Sequence, residues 1–598
     1  MESKVLKKRG EIQEKDKWAV NEIYSCDEEW EREYKELQEE SPKLKDFEGK
    51  LGDAKVLEEY FEVNEKTSRK AEKIYVYAHL RSDEDTSNTT YQAMMNKIDA
   101  YMAEYATYTA YVVPEILALP DGTIEKLMNE NKGLEPYKFL IENILKEKPH
   151  VLDKKEEELL AAASDCLDAP SSIHNIMTNA DMKFGNIKDE DGEEVELTEG
   201  NYSSFIKSKD RNVRKAAFER LFGEYKSFEN TLATTLSSSI KVFNFGAKIR
   251  NYNSALEASL KPNDIPTEVY TNAVKTINDN LSSLHRYVKL KKKLLGLEEM
   301  HMYDLYVPVI EVPKERVEFD KAVEMAVEGL NPLGKEYLDI FQGGINGGWI
   351  DKYINKGKRG GAYSWGGYDT KPYVLLNYNY ELNDVSTLVH EMGHSIHSYY
   401  SRKEQSYYYA GYTLFCAEVA STTNEALLIH HLINKETDKK KKLYLINQEL
   451  EQIRTTVFRQ LMFAEFELYT HESFEKGLPL TAQDYNAKWH ELNVKYFGPD
   501  MVVDSDIDVE WSRIPHFYSD FYVYQYATGY AAASAFANSI LNGEKDAVEK
   551  YVGFLKSGGS DYPIEILKKA GVDMTTSKPL EATINRFNEL LDMLEKEI

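Results

Sequence analysis

The sequence has 598 residues, 42% of them hydrophobic and 29% charged, a balance typical of globular proteins and not of disordered chains. Its formal net charge of −27 disfavours nucleic acid and anionic membrane surfaces as partners, because both are themselves negatively charged. Three cysteines are too few for a disulfide framework, the N-terminus lacks an apolar signal core, and no apolar run approaches the ~18 residues of a membrane span. The sequence therefore predicts a cytoplasmic protein.

The first part of the chain, from Trp30 to about Ala180, has a helical pattern. Apolar residues recur there at three- and four-residue spacing within long charged segments, and Pro114 and Pro120 mark breaks. We therefore expect residues 1–182 to form an N-terminal helical region.

Residues 183–197 change the pattern from helical to alternating. Apolar and charged residues alternate around Asp191-Gly192, a dipeptide favoured in two-residue hairpin turns. Helical spacing returns beyond Tyr202. We place a boundary here and assign residues 183–598 to a second region.

Glycines and extended residues are concentrated between residues 340 and 382. Glycines punctuate the chain from Gly343 to Gly367, and the apolar run Tyr373–Tyr378 follows them. We interpret 340–382 as a small sheet whose edge strand could bind an extended main chain by β-augmentation, with an ordinary glycine-rich loop as the alternative. The glycines match neither the dinucleotide-binding fingerprint nor the phosphate-binding P-loop.

The stretch from His390 to His394 reads His-Glu-Met-Gly-His, the H-E-x-x-H pattern. On a helix, residues four apart lie one turn apart on the same face, so both imidazoles can reach one metal ion. Glu391 lies about a quarter-turn away and can act on a water molecule without being a ligand. Because such spacing also arises by chance, the site needs a third ligand.

The sequence distance from the H-E-x-x-H motif tests which residue supplies the third ligand. The metzincin pattern requires Gly and His where His397 and Tyr400 stand, and thermolysin-like spacing requires Glu where Thr413 and Leu414 stand. The next carboxylate on an apolar helical pattern is Glu418, which we predict as the third ligand; a Glu neutralised by an ion pair is the alternative. We expect the metal helices to span about residues 384–434.

Two further residues fall near the predicted ligands. His397 lies on the same helix, but three ligands from one helix would span two turns, about 10.5 Å, which strains tetrahedral geometry. We expect His397 to lie in the second shell or to face substrate. Glu425, seven residues after Glu418, is placed to orient a ligand imidazole.

The chain resembles the oligoendopeptidase F branch of the thimet oligopeptidase family of zinc peptidases, and the resemblance extends over nearly its whole length. Besides the H-E-x-x-H stretch, five segments carry it: Gly360–Ser364, Ala417–Thr422, Ile514–Tyr518, Phe521–Gly529 and Tyr562–Met574. Together these motifs are specific, whereas H-E-x-x-H alone is not.

The resemblance implies a mainly α fold, in which two helical lobes enclose a deep substrate channel and a small β-sheet lies next to the H-E-x-x-H helix. It implies one Zn²⁺ per chain, short unfolded oligopeptides as substrates, and Glu391 as general base. The aromatic segment resembles the substrate-binding segment of the family, so His516, Tyr522 and Tyr524 are candidates for stabilising the oxyanion. The division of roles between these residues, Tyr518 and Tyr526 stays open.

Two other functions compete with an endopeptidase. The interval between His394 and Glu418 also resembles that of dipeptidyl carboxypeptidases related to angiotensin-converting enzyme. A non-catalytic helical peptide-binding protein is the second alternative, and the intact Glu391 argues against it. Cleavage preference and oligomeric state cannot be read from the sequence.

Overall fold

The computed structural model describes residues 6–310 and 315–597. The chain is mainly α-helical with small sheets, as expected. The helices before the hairpin are α1 Asp27–Glu40, α2 Ala54–Glu84, α3 Thr89–Thr109, α4 Val112–Ala118, α5 Thr123–Glu130, α6 Lys138–Lys146, α7 Lys154–Leu167 and α8 Ala169–Ile176. Part of the signal-peptide expectation concerns residues 1–5, which lie outside the described range.

The middle of the chain adds a hairpin and six more helices. These elements and the following strand are β1 Asn186–Lys188, β2 Glu194–Glu196, α9 Glu199–Phe205, α10 Arg211–Ser227, α11 Glu229–Ile249, α12 Ala255–Leu260, α13 Thr267–Asp279, α14 Leu281–Leu294 and β3 Met300–His301. Strands β1 and β2 pair antiparallel, and Gly192 in their turn has a φ of +83°. The predicted hairpin is thus confirmed.

The rest of the chain carries the three strands of one sheet, a further short strand, which pairs with β3, and the remaining helices. They are α15 Phe319–Leu330, α16 Gly334–Asn346, β4 Ile350–Tyr353, β5 Tyr363–Trp365, β6 Tyr373–Tyr378, α17 Leu382–Glu404, α18 Leu414–Lys435, α19 Lys439–Ile453, α20 Arg459–Glu475, α21 Ala482–Phe497, β7 Met501–Val502, α22 Tyr524–Leu541, α23 Ala547–Ser557, α24 Pro563–Lys569 and α25 Lys578–Glu597. Among the described residues, no helix combines the length and apolar character needed to cross a membrane.

The chain packs into two units that alternate along the sequence. The first unit comprises the described residues of 1–148, 314–431 and 536–571, and the second those of 149–313, 432–535 and 572–598. This spatial division differs from the boundary placed after residue 182, which stays a prediction. The two lobes around a channel likewise remain an expectation from the resemblance.

The core of the first unit is built on α2. Asp53 caps this helix by accepting the N–H groups of Lys55 and Val56. Its apolar face packs against α1 and α3, and the indole of Trp30, 1% exposed, donates a hydrogen bond to the Ile74 carbonyl. Capping and burial of one face together account for a helix of 31 residues.

A three-stranded sheet in the first unit precedes α17, and it confirms the predicted small sheet. Strand β6 lies in the centre, parallel to β4 on one side and antiparallel to β5 on the other. The β6 residues are almost all buried, whereas β5 is half-buried and forms an edge within the described part of the sheet. The alternative of an ordinary glycine-rich loop is wrong for the strands, while residues 354–362 between β4 and β5 are irregular.

In the second unit, α19 and α20 form one continuous helix through a π-helical turn, Arg454–Phe458. The turn carries a buried ion cluster. Glu451 accepts hydrogen bonds from Arg454 at 2.6 Å and from Lys291 at 2.8 Å. A π-helical turn inserts an extra residue into the helix, and here it lies next to this cluster.

Candidate metal centre and aromatic segment

Helix α17 presents the H-E-x-x-H residues because one of its faces is held in the core. Asp384 accepts the backbone N–H of Glu381 at 2.8 Å, which fixes the first turn. The apolar residues at helical spacing are fully buried: Val385, Leu388, Val389, Met392 and Ile396. The two histidines lie beside this stripe and remain partly exposed.

Gly393 allows α18 to approach α17 closely. A Cβ atom at this position would lie 2.6 Å from the Cα atom of Ser421 and 2.9 Å from the carbonyl oxygen of Ala420. Both contacts are to backbone, which cannot move aside without shifting the helix. The glycine inside the motif therefore sets the helix spacing that brings Glu418 to the histidines.

Three predicted ligands meet in one cluster. The metal-binding atoms of His390, His394 and Glu418 all lie within 4.8 Å of one another. Glu418 Oε2 is 3.4 Å from Nε2 of His390 and 3.5 Å from Nε2 of His394. Two imidazoles and one carboxylate are the donor set of a catalytic zinc site, so these residues fit the ion.

Neighbouring groups orient the cluster. Glu425 Oε2 lies 3.5 Å from Nδ1 of His390, which matches its predicted orienting position. Ser421 donates a hydrogen bond to Glu418 Oε2 at 3.1 Å, a contact that sequence reasoning missed. Burial would raise the pKa of Glu418, but the hydrogen bond and positive charge of His394 lower it to about 2. The carboxylate is thus available as an anionic ligand.

Glu391 lies in a different environment from Glu418 on the neighbouring helix. It is 7% exposed, and burial raises its pKa above the ordinary value, although His390 and His394 oppose the shift. A carboxylate whose basicity is increased in this way is suited to accept a proton near neutral pH.

His397 lies outside the cluster. Its ring is 1% exposed, stacks on Tyr412 at 3.8 Å and lies 5.1 Å from Phe554. Burial lowers its pKa to about 3, and Nδ1 has no hydrogen-bond partner among the described residues. The expectation that His397 faces substrate is therefore wrong in this structure, because aromatic packing encloses the ring; a second-shell role stays a prediction.

The edge strand β5 is attached directly to the metal helix. The hydroxyl of Ser364 lies 2.8 Å from that of Ser395, the residue after His394. On the opposite face of the strand, Tyr363 donates a hydrogen bond to Asp83 on α2 at 2.7 Å. The strand edge is thus held in a fixed position beside α17.

The aromatic segment, defined here as residues 515–526, belongs to the second unit. The rings of His516, Tyr522 and Tyr526 form a cluster with centroid distances of 5.4 to 6.0 Å. The Tyr526 hydroxyl lies 3.4 Å from Nε2 of His516. Two of the predicted residues, His516 and Tyr522, are therefore brought together, and Tyr526 joins them.

Tyr524 is separated from this cluster. It is 2% exposed and packs on Tyr270 at a centroid distance of 5.0 Å, and burial raises the pKa of its hydroxyl above the ordinary value. The prediction that Tyr524 acts on substrate therefore does not fit its place in the core. No local sequence pattern separates Tyr524 from Tyr522 and Tyr526, because its burial depends on the distant Tyr270.

Comparison with known families gives two matches. A family model described as Peptidase family M3 matches residues 204–586. A second model, described as Oligopeptidase F, matches residues 115–184. The two matches together span most of both units.

Individual proteins are similar to this chain over nearly its whole length. Oligopeptidase PepF of Bacillus subtilis (strain 168) is 48% identical over 592 residues, covering 99% of this chain and 88% of that protein. The crystal structure of oligoendopeptidase-F from Enterococcus faecium is 41% identical, with a TM-score of 0.73 over 96% of this chain and 99% of that chain. A crystal structure from Chlamydophila abortus, 37% identical, gives a TM-score of 0.95 over 99% of this chain and 100% of that one.

Proposed function

The chain belongs to peptidase family M3 and is a metalloendopeptidase that acts on oligopeptides, and from this premise we propose how its residues perform the reaction. His390, His394 and Glu418 hold one Zn²⁺ per chain, and Glu425 orients His390. The observation that carries this proposal is the convergence of these three ligand atoms within 4.8 Å of one another.

Glu391 is the proposed general base. A zinc ion held by the cluster supplies Lewis acidity, which polarises the scissile carbonyl and makes water nucleophilic near neutral pH. Glu391 takes the proton of the attacking water and transfers it to the leaving amine, so one carboxyl group serves as base and then as acid. Its raised pKa supports the first step, because a stronger base accepts the proton of the water more readily.

Tyr522, with His516 and Tyr526, is the proposed donor to the developing oxyanion. Such a donor contributes about 2.7–4 kcal/mol to the transition state when it is held in place before reaction. The mutual packing of the three rings supports this role, because neighbouring side chains restrict their rotamers.

The free edge of β5 is the proposed binding site for the substrate main chain. A peptide added as a further strand is held by backbone hydrogen bonds, which do not depend on its side chains. The half-buried state of β5 and the Ser364–Ser395 contact support this proposal. Binding of this kind suits a peptidase that accepts many short sequences.

A doubly blocked peptide tests the proposed function. The substrate is acetylated at its N-terminus and amidated at its C-terminus, and the products are identified by mass spectrometry alongside the zinc content of the protein. Cleavage at an internal bond with one zinc per chain is expected. If only a matched peptide with a free C-terminus is cleaved, with release of dipeptides from that end, the carboxypeptidase alternative is favoured; binding of either peptide without cleavage would favour the non-catalytic one. A cytoplasmic location remains a prediction.

A further inference from the structure

The backbone of the aromatic segment turns sharply at Phe521. Its φ is +58°, in the left-handed region that bulky L-residues rarely adopt. Asp520 precedes it and Tyr522 follows it, so this one residue determines the direction in which the chain reaches Tyr522. A backbone conformation of this kind persists only where the surroundings hold it.

Contacts from three helices hold Phe521 in this conformation. Glu467 on α20 accepts the Phe521 N–H at 2.7 Å. The Phe521 ring is 1% exposed and packs against His471 at 4.5 Å, Tyr270 at 5.6 Å and Phe243 at 6.3 Å. The N–H group and the ring are therefore fixed independently.

Asp520 is held at its carbonyl and at its carboxylate. Ser259 donates a hydrogen bond to the Asp520 carbonyl at 3.1 Å, and Nε2 of His471 lies 3.2 Å from Asp520 Oδ1, an ion pair not aligned as a hydrogen bond. The side-chain NH₂ group of Asn244 donates to the His471 carbonyl. The side-chain oxygen of Asn244 therefore lies 2.8 Å from His471 Nδ1, and this Nδ1 carries a proton. The contact with Asp520 is attractive only when Nε2 is also protonated.

Glu467 is the most deeply buried carboxyl group next to the Phe521 turn. It is 2% exposed, and burial raises its pKa well above the ordinary value. The Tyr270 hydroxyl donates to the Ala464 carbonyl at 2.8 Å and more weakly to Glu467 Oε2 at 3.4 Å. Glu467 thus accepts the Phe521 N–H at Oε1 and contacts Tyr270 at Oε2.

We propose that Glu467, together with Asp520 and His471, is a positioning device that fixes the Phe521 turn and thereby places Tyr522 against His516 and Tyr526. The proposal rests on the proposed function, in which these rings act on the substrate. Glu467 itself is bonded to the backbone N–H of Phe521, one residue before Tyr522. Its effect on the reaction must therefore pass through the backbone.

Two substitutions of nearly the same size separate this role from simple packing. Glu467→Gln keeps an oxygen acceptor for the Phe521 N–H and a polar group next to Tyr270, so it should retain activity. Glu467→Met fills the same space without the acceptor, so kcat should fall about 10- to 100-fold while KM changes less than about threefold. Zinc content should stay equal in both, since the metal cluster belongs to the other unit.

The NMR signal of His516 provides a readout that does not depend on activity. The resonance is assigned by its loss in His516→Gln, and its position and titration should change in Glu467→Met but not in Glu467→Gln. Equal kcat and an equal His516 signal in both variants would overturn the proposal. If zinc-loaded wild-type protein cleaves no peptide, the proposed function is wrong, and the His516 signal alone then decides the positioning role.

A milder variant covers the case in which Glu467→Met does not fold. Ser259→Ala removes only the hydrogen bond to the Asp520 carbonyl, and it should lower kcat about two- to tenfold with a shifted His516 signal. Ser254, which caps α12 without contacting the aromatic segment in the described structure, gives the matched control Ser254→Ala. Equal kcat and equal His516 signals in the two serine variants would also overturn the proposal.

Discussion

The metal centre and the aromatic segment are built by opposite means. Two of the three proposed metal ligands lie four residues apart on α17, and the third comes from the next helix, α18. The aromatic segment is held from a distance: Glu467 lies 54 residues before Phe521, and Ser259 lies 261 residues before Asp520. Helical periodicity places the two histidines, and one close contact between neighbouring helices at Gly393 adds Glu418, whereas the aromatic segment depends on contacts with residues distant in sequence.

Removing the metal should have the largest effect, and it tests the metal centre alone. A chelator should abolish peptide hydrolysis and added Zn²⁺ should restore it, because the ion makes water nucleophilic near neutral pH. Metal analysis of the same samples checks the loading. Full activity in a metal-free preparation would contradict the mechanism.

Glu391→Gln should have the next largest effect. The change is nearly isosteric and leaves all three ligands in place, so zinc content and thermal stability should be close to those of the wild type. Hydrolysis should fall by about 10²-fold or more, because the group that accepts the proton is lost. Turnover and zinc measured on one sample check this, and near-normal turnover with full zinc would assign the base elsewhere.

Substitutions around the cluster should separate ligands from their neighbours. Glu418→Gln should weaken zinc binding most, and Glu425→Gln should weaken it about 10- to 100-fold through the orientation of His390. His397→Ala should lower stability, because it removes a buried ring, but should keep zinc affinity. Competition with a zinc indicator measures all three. Loss of zinc in His397→Ala alone would make His397 a ligand.

Two tyrosine substitutions should differ although the residues are two positions apart. Tyr522→Phe should lower kcat about 10- to 100-fold with a smaller change in KM, since an oxyanion donor is lost. Tyr524→Phe should leave kcat within about twofold and cost about 1 kcal/mol of stability, because its hydroxyl is buried in the core. Steady-state kinetics and thermal unfolding check the pair. The reverse result would restore Tyr524 as the donor.

The prediction with the smallest effect on turnover concerns the pH dependence of stability in the second unit. Glu467 has a raised pKa in the folded state, so its stabilising contribution is present below its ordinary value of 4.5 and is lost as the pH rises towards the folded value. Glu467→Gln lacks this loss, and its stability relative to wild type should rise with pH by up to about 1.4 kcal/mol per unit. Urea unfolding at pH 5 and pH 8 measures it. A constant difference would mean that Glu467 is ionised.

Sequence reasoning reached the features that depend on local periodicity. The helical pattern of most of the chain and the hairpin at Asp191-Gly192 follow from spacing and turn chemistry, whereas the family resemblance favoured the small sheet before α17 over a loop. His390, His394 and Glu418 were predictable because helices place residues at fixed angles. The ligand spacing and tetrahedral geometry of zinc sites then reduced the number of candidates for the third ligand.

Features that depend on contacts between residues distant in sequence were not predicted. Tyr524 was predicted as a substrate contact because nothing in its local sequence shows that Tyr270 covers it. His397 was expected to face substrate because the helix alone does not reveal the ring of Tyr412. The alternation of the two units along the chain was equally invisible, since each draws on three separate segments.

Gly393 would make the proposed metal centre selective for ions that form short bonds. An alanine here would push against the backbone of Ser421, three residues beyond Glu418 on α18, and would draw the carboxylate away from the imidazoles. An ion that forms longer bonds would then lose less affinity than Zn²⁺, whose bonds to nitrogen and oxygen are about 2.0–2.2 Å. A residue without a side chain would thus help determine which metal the enzyme selects.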